Sequence, residues 1–328
     1  AGALAQLKQE LQLPFQLMDR PLYRAYLMVT DTGKYIYLDF YHAILDGTAF
    51  GLLFWREMDM RYQGKSIKRE PSSYAEYVLS DAQKRGASQE EGHRYWQKVL
   101  FGFDPAKHLP PADGGGEGTW REGVCKRKLQ NIESGYFRQT KHKENTFLMA
   151  AAMLAVTKTT GSMESIISWV HNGRNTPKER RLMGLMLNQL PLRWQFNESE
   201  TVAQMLSGLG AKIQEGLSYA SALDLVYEED LEGECATFIL QKGTDASSAF
   251  TLNGLPVIQQ EMPDNKISAA ENVLDINVVA GADGSYDLLL KYDVRRYSPQ
   301  AMELYAALVD EMLLSLHSDG RLLAEILQ

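Results

Sequence analysis

The chain has 328 residues, 45% of them hydrophobic, which predicts one large or two medium globular domains with buried cores. The formal net charge is −8, so a general nucleic-acid-binding protein is not expected. The longest apolar run, 147–156, is too short to cross a bilayer, and no membrane association is expected. The two cysteines, Cys125 and Cys235, lie far apart in the sequence. They predict no disulfide framework and fit a reducing, cytoplasmic compartment.

Helices and strands are mixed along the chain without the strict alternation of a doubly wound sheet, so we predict an α/β fold with mixed sheets. The region 104–118 is rich in proline and glycine and is the best candidate for a domain boundary. In chain order the sequence predicts a helix at 1–11, strands at 22–29 and 34–42, helices at 48–62, 74–84 and 89–100, an extended stretch at 120–129, a helix at 146–158, a strand at 164–170, an extended region at 180–196, a helix at 202–217, strands at 236–241, 273–280 and 286–292, and a closing helix at 299–316.

The most informative stretch follows the second strand. The strand predicted at 34–42 alternates, and its apolar residues share one face with His42. We therefore expect the imidazole of His42 to point inward at the end of the strand. Asp46 stands where the N-cap of the helix at 48–62 belongs. A histidine at such a strand-to-helix turn can act as a general base.

Two sequence motifs carry a resemblance to a known family. The stretch 41–47 resembles the H-H-x-x-x-D-G core motif of the condensation domains of nonribosomal peptide synthetases, with Tyr41 in place of the first histidine. The stretch 183–193 is similar to the I-G-x-F-V-N-T-x-x-x-R motif of the same family. It matches that motif at Gly184, Asn188 and Arg193.

The resemblance implies a two-lobed, chloramphenicol acetyltransferase-like fold, V-shaped, with a tunnel at the lobe junction. By this comparison residues 1–108 are the remainder of the N-terminal lobe and carry the His42 motif, and residues 109–328 are the C-terminal lobe. The front part of the N-terminal lobe is then expected to be missing from the sequence.

The resemblance also implies roles for single residues. His42 is expected to act as the base, or the positioner, for an α-amine that attacks a thioester, with Gly47 near the reacting carbonyl. Asp46 is expected to pair with Arg193 and to support the site. The resemblance also suggests a set of residues that line the tunnel: Asn188, Gly184 and Tyr41.

The residues themselves leave simpler interpretations open. His42 can be a hydrogen-bonded histidine of the core, and Asp46 can be an N-cap and nothing more. Gly47 can be a steric requirement of a tight turn. The remaining histidines show no spacing typical of a zinc site, so no metal is expected. Basic residues cluster at 126–128, 178–181 and 295–296, either as solvated faces or as docking sites for an acidic partner.

The function that the resemblance implies is amide-bond formation between two substrates held on carrier proteins. The predicted partners are the donor and acceptor carrier protein domains and an adjacent adenylation domain. No intrinsic cofactor is expected, because the substrates are carried on the phosphopantetheine of the carriers. One alternative is a variant of the same fold, either an epimerisation domain or a stand-alone acyltransferase that uses coenzyme A thioesters. Another, motivated by Tyr41, is a catalytically degenerate recruitment domain.

Overall fold

The computed structural model describes residues 13–31, 33–67, 73–102, 104, 107–225, 235–242, 250–258 and 273–328. The helix predicted at 1–11 lies outside these residues. Contacts divide the chain into two compact units that are not continuous in sequence. The first unit takes its described residues from Ala1–Tyr77, Asn172–Leu187 and Ala249–Ala270, and the second takes the remainder. These units do not coincide with a division at residue 108, and the assignment of the two lobes stays a prediction.

The first unit contains the predicted pair of strands. Strand β1 (Tyr23–Thr30) pairs antiparallel with β2 (Gly33–Phe40), in a register that runs from Tyr23 opposite Phe40 to Thr30 opposite Gly33. The hydroxyl of Thr30 closes the turn by accepting a hydrogen bond from the amide of Gly33 at 3.1 Å. The ladder ends at Phe40 because β1 begins at Tyr23, so β2 is shorter than predicted at its carboxyl end.

A helical stretch follows the hairpin within the first unit. It has π-helical geometry over Ala49–Phe54 and continues as helix α1 (Trp55–Tyr62). Its extent confirms the helix predicted at 48–62. The rings of Phe40, Phe50 and Phe54 lie with centroids 5.4 to 5.6 Å apart, so an aromatic cluster packs the end of β2 onto this helix.

Helix α2 (Tyr74–Leu100) is continuous, so the prediction of two helices at 74–84 and 89–100 is wrong. The sequence suggests a break because Gly86 lies between the two periodic stretches. A glycine in a helix interior costs only about 1 kcal/mol relative to alanine, which the hydrogen-bonded turns on either side outweigh.

The second unit is built on one six-stranded mixed sheet. Its strands are β3 (Glu122–Lys128), β4 (Glu164–His171), β5 (Asn188–Gln195), β6 (Thr237–Lys242), β9 (Leu274–Ala280) and β10 (Tyr286–Asp293). They lie in the order β3-β10-β9-β6-β4-β5. Strand β6 runs parallel to both of its neighbours, and the other pairs are antiparallel.

The main hydrophobic cluster of the second unit packs between this sheet and its helices. Helix α4 (Glu144–Thr160) is its centre, and every side chain from Thr146 to Thr157 is buried. Such a helix has no polar face because neighbouring elements surround it. The remaining helices and short strands of the described residues are α3 (Tyr136–Gln139), α5 (Val202–Ser218), α6 (Pro299–Ser315), α7 (Leu323–Leu327), β7 (Thr251–Leu252) and β8 (Leu255–Pro256). No helix among the described residues is both long and apolar enough to cross a membrane.

The extended region predicted at 180–196 is only partly a strand. Residues Glu179–Arg181 form a turn of 3-10 helix, and only β5 pairs with the sheet. Strand β5 contains Pro191, which lacks a backbone N–H. The strand tolerates this proline because β5 is at the edge of the sheet and pairs only with β4.

Candidate functional site

Asp46 is the most highly connected residue of the predicted motif. Its side chain is completely buried. One carboxylate oxygen, Oδ1, accepts a hydrogen bond from the amide of Ala49 at 2.8 Å, which confirms the predicted N-cap. The other oxygen, Oδ2, accepts from the guanidinium of Arg174 at 2.7 Å and from the amide of Met186 at 2.9 Å. The carboxylate is therefore both a helix cap and a long-range link.

Arg174 completes this link from the other side. Its guanidinium is 2% exposed and donates through Nη2 to the carbonyl oxygens of Leu182 and Gly184, each at 3.2 Å. Nη1 donates to Asn172 as well as to Asp46. One buried arginine thus closes the segment 172–187 on itself and fixes it to the His42 motif.

The prediction that Asp46 pairs with Arg193 is wrong. Arg193 forms a two-pronged ion pair with Glu164, through Nε at 2.7 Å and Nη2 at 2.9 Å. Its Nη1 donates to the carbonyl oxygens of Val99 and Phe101 at the end of α2. The strand register explains the pairing, because Ile166 of β4 lies opposite Arg193. Glu164 is therefore its diagonal neighbour on the same face of the sheet.

His42 is exposed, so the prediction that its imidazole points inward is wrong. The alternation that produced this prediction stops at Phe40, and His42 begins a turn of 3-10 helix that ends at Ile44. Within the described residues the imidazole makes no hydrogen bond, which also excludes the interpretation of His42 as a hydrogen-bonded core histidine. Its ring nitrogens are free to accept or donate a proton to a substrate.

Tyr41, the departure from the family motif, lies on the same turn and is 38% exposed. Its ring meets that of Phe15 edge to face, with the centroids 6.1 Å apart. Its backbone amide donates to the carbonyl of Leu22, next to the β1–β2 ladder. Tyr41 therefore anchors the turn and presents part of its ring to solvent.

Gly47 is not required by the packing of this chain. A Cβ atom built at this position meets no heavy atom within 4 Å, and its φ angle lies outside the left-handed region. The interpretation of Gly47 as a steric need of a tight turn is therefore wrong. Open space remains at the amino end of the helix that follows Asp46, where backbone N–H groups have no partner inside the helix.

Gly184, in contrast, is required by the packing within the first unit. A Cβ atom built there would lie 2.3 Å from the ring of Tyr74. The hydroxyl of Tyr74 donates to the carbonyl of Leu185 at 2.7 Å, which holds the ring in this position. In the sequence Gly184 matches a family motif. The structure adds the physical reason for a glycine, which is the close contact with the ring of Tyr74.

The other predicted residues stay separate from this cluster or untested. Asn188 is half-buried and begins β5 opposite His171 of β4, and a role for Asn188, Gly184 or Tyr41 in lining a tunnel stays a prediction. Within the described part of the chain, no group of three or more histidine, cysteine or acidic residues could hold a metal ion. The sequence did not predict Arg174 as the partner of Asp46. The only indication was the Gly173-Arg174 pair after β4, which resembles a turn of the same family.

Comparison with known proteins agrees with these motifs. The profile of the condensation domain family matches residues 2–323. The chain is 27% identical to surfactin synthase subunit 2 of Bacillus subtilis over 201 residues, which are 59% of this chain and 6% of that protein. It is 30% identical to bacitracin synthase 1 of Bacillus licheniformis over 196 residues, 55% of this chain and 4% of that protein. The chain thus spans only a small fraction of these relatives.

Solved structures agree on the fold. The condensation domain of the monacolin K polyketide synthase superposes with a TM-score of 0.76 at 16% identity, over 98% of this chain and 78% of that one. The first condensation domain of the calcium-dependent antibiotic synthetase, in complex with a substrate analogue, gives 0.68 at 17% identity, over 99% and 74%. The epimerization domain from the third module of tyrocidine synthetase B gives 0.70 at 16% identity, over 96% and 76%. These likenesses confirm the predicted chloramphenicol acetyltransferase-like fold.

The ion pair between Asp46 and Arg174 can be tested by a double-mutant cycle. Asp46→Asn keeps an oxygen for the amide of Ala49 and leaves the Arg174 guanidinium buried without its counter-charge. We expect the free energy of unfolding to fall by about 3 kcal/mol, measured by urea denaturation. Asp46→Asn combined with Arg174→Met should cost clearly less than the sum of the single changes. Glu215→Gln, which breaks an exposed pair with Lys212, serves as a control and should change the stability by less than about 0.5 kcal/mol.

The packing of Gly184 makes a second prediction. Gly184→Ala should lower the free energy of unfolding by about 2 kcal/mol, because the new methyl group collides with the ring of Tyr74. In a Tyr74→Ala background the same change should be close to neutral. Gly210→Ala is the matched control, because a Cβ atom at Gly210 meets nothing within 4 Å. An equal loss from Gly184→Ala in both backgrounds would show that the ring is not the cause.

The buried His108 makes the stability depend on pH. Its side chain is 0% exposed and lies 3.9 Å from Glu164, and burial lowers the pKa of His108 below its ordinary value of 6.5. Below that value the unfolded chain binds a proton that the folded chain does not, so the stability falls as the pH falls from 6.5 towards the lowered pKa. His108→Gln should reduce this loss, measured by urea unfolding at neutral pH and about one unit below 6.5. An unchanged pH profile in the variant would contradict the assignment.

Proposed function

Because the chain belongs to the condensation domain family, we propose that it joins a carrier-bound acyl or peptidyl thioester to the amine of a carrier-bound aminoacyl acceptor. Members of this family are acyltransferases that form amide bonds in nonribosomal peptide synthetases. The observation that carries the proposal is the combination of an exposed, unbonded imidazole at His42 with the buried Asp46 carboxylate that fixes its loop.

Attack of an amine on a thioester requires one base and one site that stabilises negative charge. The α-amine attacks the thioester carbonyl, a C–N bond forms, and the carbonyl oxygen becomes an oxyanion. His42 accepts a proton from the attacking nitrogen or holds that nitrogen in place. The oxyanion collapses, the C–S bond breaks, and the thiol of the donor arm leaves with a proton.

The residues around His42 supply geometry and polarity. Asp46 acts on the reaction as a positioning residue, because its two oxygens are already engaged by Ala49, Arg174 and Met186. Gly47 begins a helix whose first N–H groups point out of its end. With open space in place of a side chain, a carbonyl oxygen can approach these donors closely, as an oxyanion requires.

The inference that carrier proteins deliver the substrates is supported by the relatives of the chain, not by its structure. The relatives named above are large synthetases of which this chain matches one small part. We infer that the donor and acceptor arrive on the phosphopantetheine arms of carrier protein domains and that an adenylation domain loads the acceptor. No cofactor of the chain itself enters this scheme, and a cytoplasmic location stays a prediction.

A different reaction on the same fold is a second candidate function, because the epimerization domain of tyrocidine synthetase B shares the fold at a TM-score of 0.70. An epimerisation domain changes the configuration of a carrier-bound residue and forms no new amide bond. A stand-alone acyltransferase would accept a coenzyme A thioester in place of a carrier. The products of the transfer assay distinguish these reactions by mass and configuration.

The proposed function is tested by single-turnover transfer from a loaded donor carrier to a loaded acceptor carrier, followed by intact mass. We expect condensed product, and a rate at least about 100-fold lower in His42→Ala, which is the size of effect that a general base contributes. Because His42 is exposed, this variant should unfold like the wild type. Glu215→Gln changes an exposed residue outside both motifs and should keep the rate.

Two outcomes would contradict the proposed function as stated. Product that forms equally well in His42→Ala would remove the histidine from the mechanism. No product from the wild type with verified loaded carriers, in a protein that still binds them, would favour the recruitment reading.

Gly47→Ala makes a prediction in which stability and activity change in opposite directions. Alanine is the better helix former and meets no neighbour within 4 Å, so the free energy of unfolding should rise by up to about 1 kcal/mol. The transfer rate should fall, because the methyl group occupies the space that the substrate carbonyl needs. An unchanged rate would show that the substrate does not approach this glycine.

A further inference from the structure

One of the three basic clusters differs from the others in its charge balance. At 126–128, Lys126 pairs with Asp287 at 3.1 Å and Arg127 lies 4.0 Å from Asp310. At 295–296, Arg295 pairs with Asp293 at 2.7 Å. Acidic neighbours therefore compensate much of the charge of these two clusters. We interpret both clusters as ordinary solvated faces.

In the turn Lys178–Arg181, called the basic turn below, the cations have no such acidic partner among the described residues. Lys178, Arg180 and Arg181 are all exposed. Within the described residues none of the three forms an ion pair or a side-chain hydrogen bond. Three cations and a single carboxylate, Glu179, therefore stand within four consecutive residues of a chain whose net charge is −8.

The one acidic residue of the basic turn is engaged with the backbone. A carboxylate oxygen of Glu179 accepts hydrogen bonds from the amides of Asn175 and Thr176, both at 2.8 Å. The hydroxyl of Thr176 accepts from the amide of Glu179 at 3.2 Å in return. These reciprocal bonds have the form of a capping box and order the turn. The three cations are thus displayed from a fixed backbone, which lowers the entropy cost of binding.

The basic turn also belongs to the segment that holds the candidate site. Lys178 follows Arg174 by four residues, so their Cα atoms are within about 14 Å of each other. Arg174 binds the Asp46 carboxylate directly. A partner that docks on the basic turn therefore binds the segment 172–187 close to the motif that carries His42.

We propose that the basic turn Lys178–Arg181 is a docking surface for an acidic face of a carrier protein. This inference rests on the proposed function, in which the acyl groups arrive attached to a protein. The net charge of −8 works against the association of the chain with an acidic partner as a whole. A local group of three exposed cations beside a single carboxylate both attracts and orients that partner.

The first test is a binding measurement that requires no catalysis. Fluorescence anisotropy follows a labelled donor or acceptor carrier as it is titrated with the protein. In the variant Lys178→Glu/Arg180→Glu/Arg181→Glu, we expect the dissociation constant of at least one carrier to rise about tenfold. The wild-type affinity should fall as the ionic strength rises, and the variant should lose most of this dependence.

The matched control is Lys126→Glu/Lys141→Glu/Lys212→Glu, which changes the net charge by the same amount at exposed positions elsewhere. It should bind the carriers nearly as well as the wild type. An equal loss in both variants would show a non-specific charge effect and overturn the proposal, as would wild-type affinity in the basic-turn variant. A neutral variant, Arg180→Gln/Arg181→Gln, repeats the test with less perturbation if the triple variant fails to fold.

The second test separates docking from chemistry. With small acyl-N-acetylcysteamine thioesters in place of carriers, the basic-turn variant should transfer at the wild-type rate, whereas the carrier-dependent rate falls about tenfold at sub-saturating carrier. A loss with both substrates would overturn the proposal, because the turn would then act on the reaction itself. Failure of the wild type to transfer from any thioester would refute the proposed function and leave the binding measurement to decide on docking alone.

Discussion

The buried ion pair between Asp46 and Arg174 is the constraint on which the candidate site depends. Both side chains are almost fully removed from solvent, and a buried charge without its partner is strongly destabilising. The two residues are 128 positions apart in the sequence. The loop after β2 and the segment 172–187 therefore have to reach their final positions together.

The same pair fixes the loop that carries His42. Asp46 uses one carboxylate oxygen to cap a helix and the other to bind the segment 172–187, so the backbone of the loop is held at Asp46. Within the described residues the exposed imidazole of His42 makes no hydrogen bond of its own. Under the proposed function its ring nitrogens are then available to the attacking amine.

The two glycines of the motifs show how structure separates packing from function. Gly184 has the ring of Tyr74 in the space of a side chain, so the fold itself requires a glycine there. Gly47 has empty space around it, so the fold does not require one. The segment with Gly184 also carries the exposed cations of the basic turn, so one end of it is fixed by packing and the other faces solvent.

The resemblance of the two motifs was sufficient to predict the family. Local periodicity was sufficient to predict the positions of most helices and strands, because a helix or strand of ten residues fixes its own pattern of apolar side chains. The N-cap at Asp46 was also predictable, since a cap is made within three residues of the chain.

The side-chain partners of Arg193 and Asp46 and the exposure of His42 depend on contacts between distant parts of the chain. Arg193 pairs with Glu164 through the register of β4 and β5, and a register is a property of two strands together. Asp46 pairs with Arg174, which is 128 residues away in the sequence. The packing of the two segments selects this arginine among several possible cations. His42 is exposed because the β1–β2 ladder ends at Phe40 and His42 begins a turn of 3-10 helix instead of continuing the strand. The alternation of one strand cannot show where its neighbour ends.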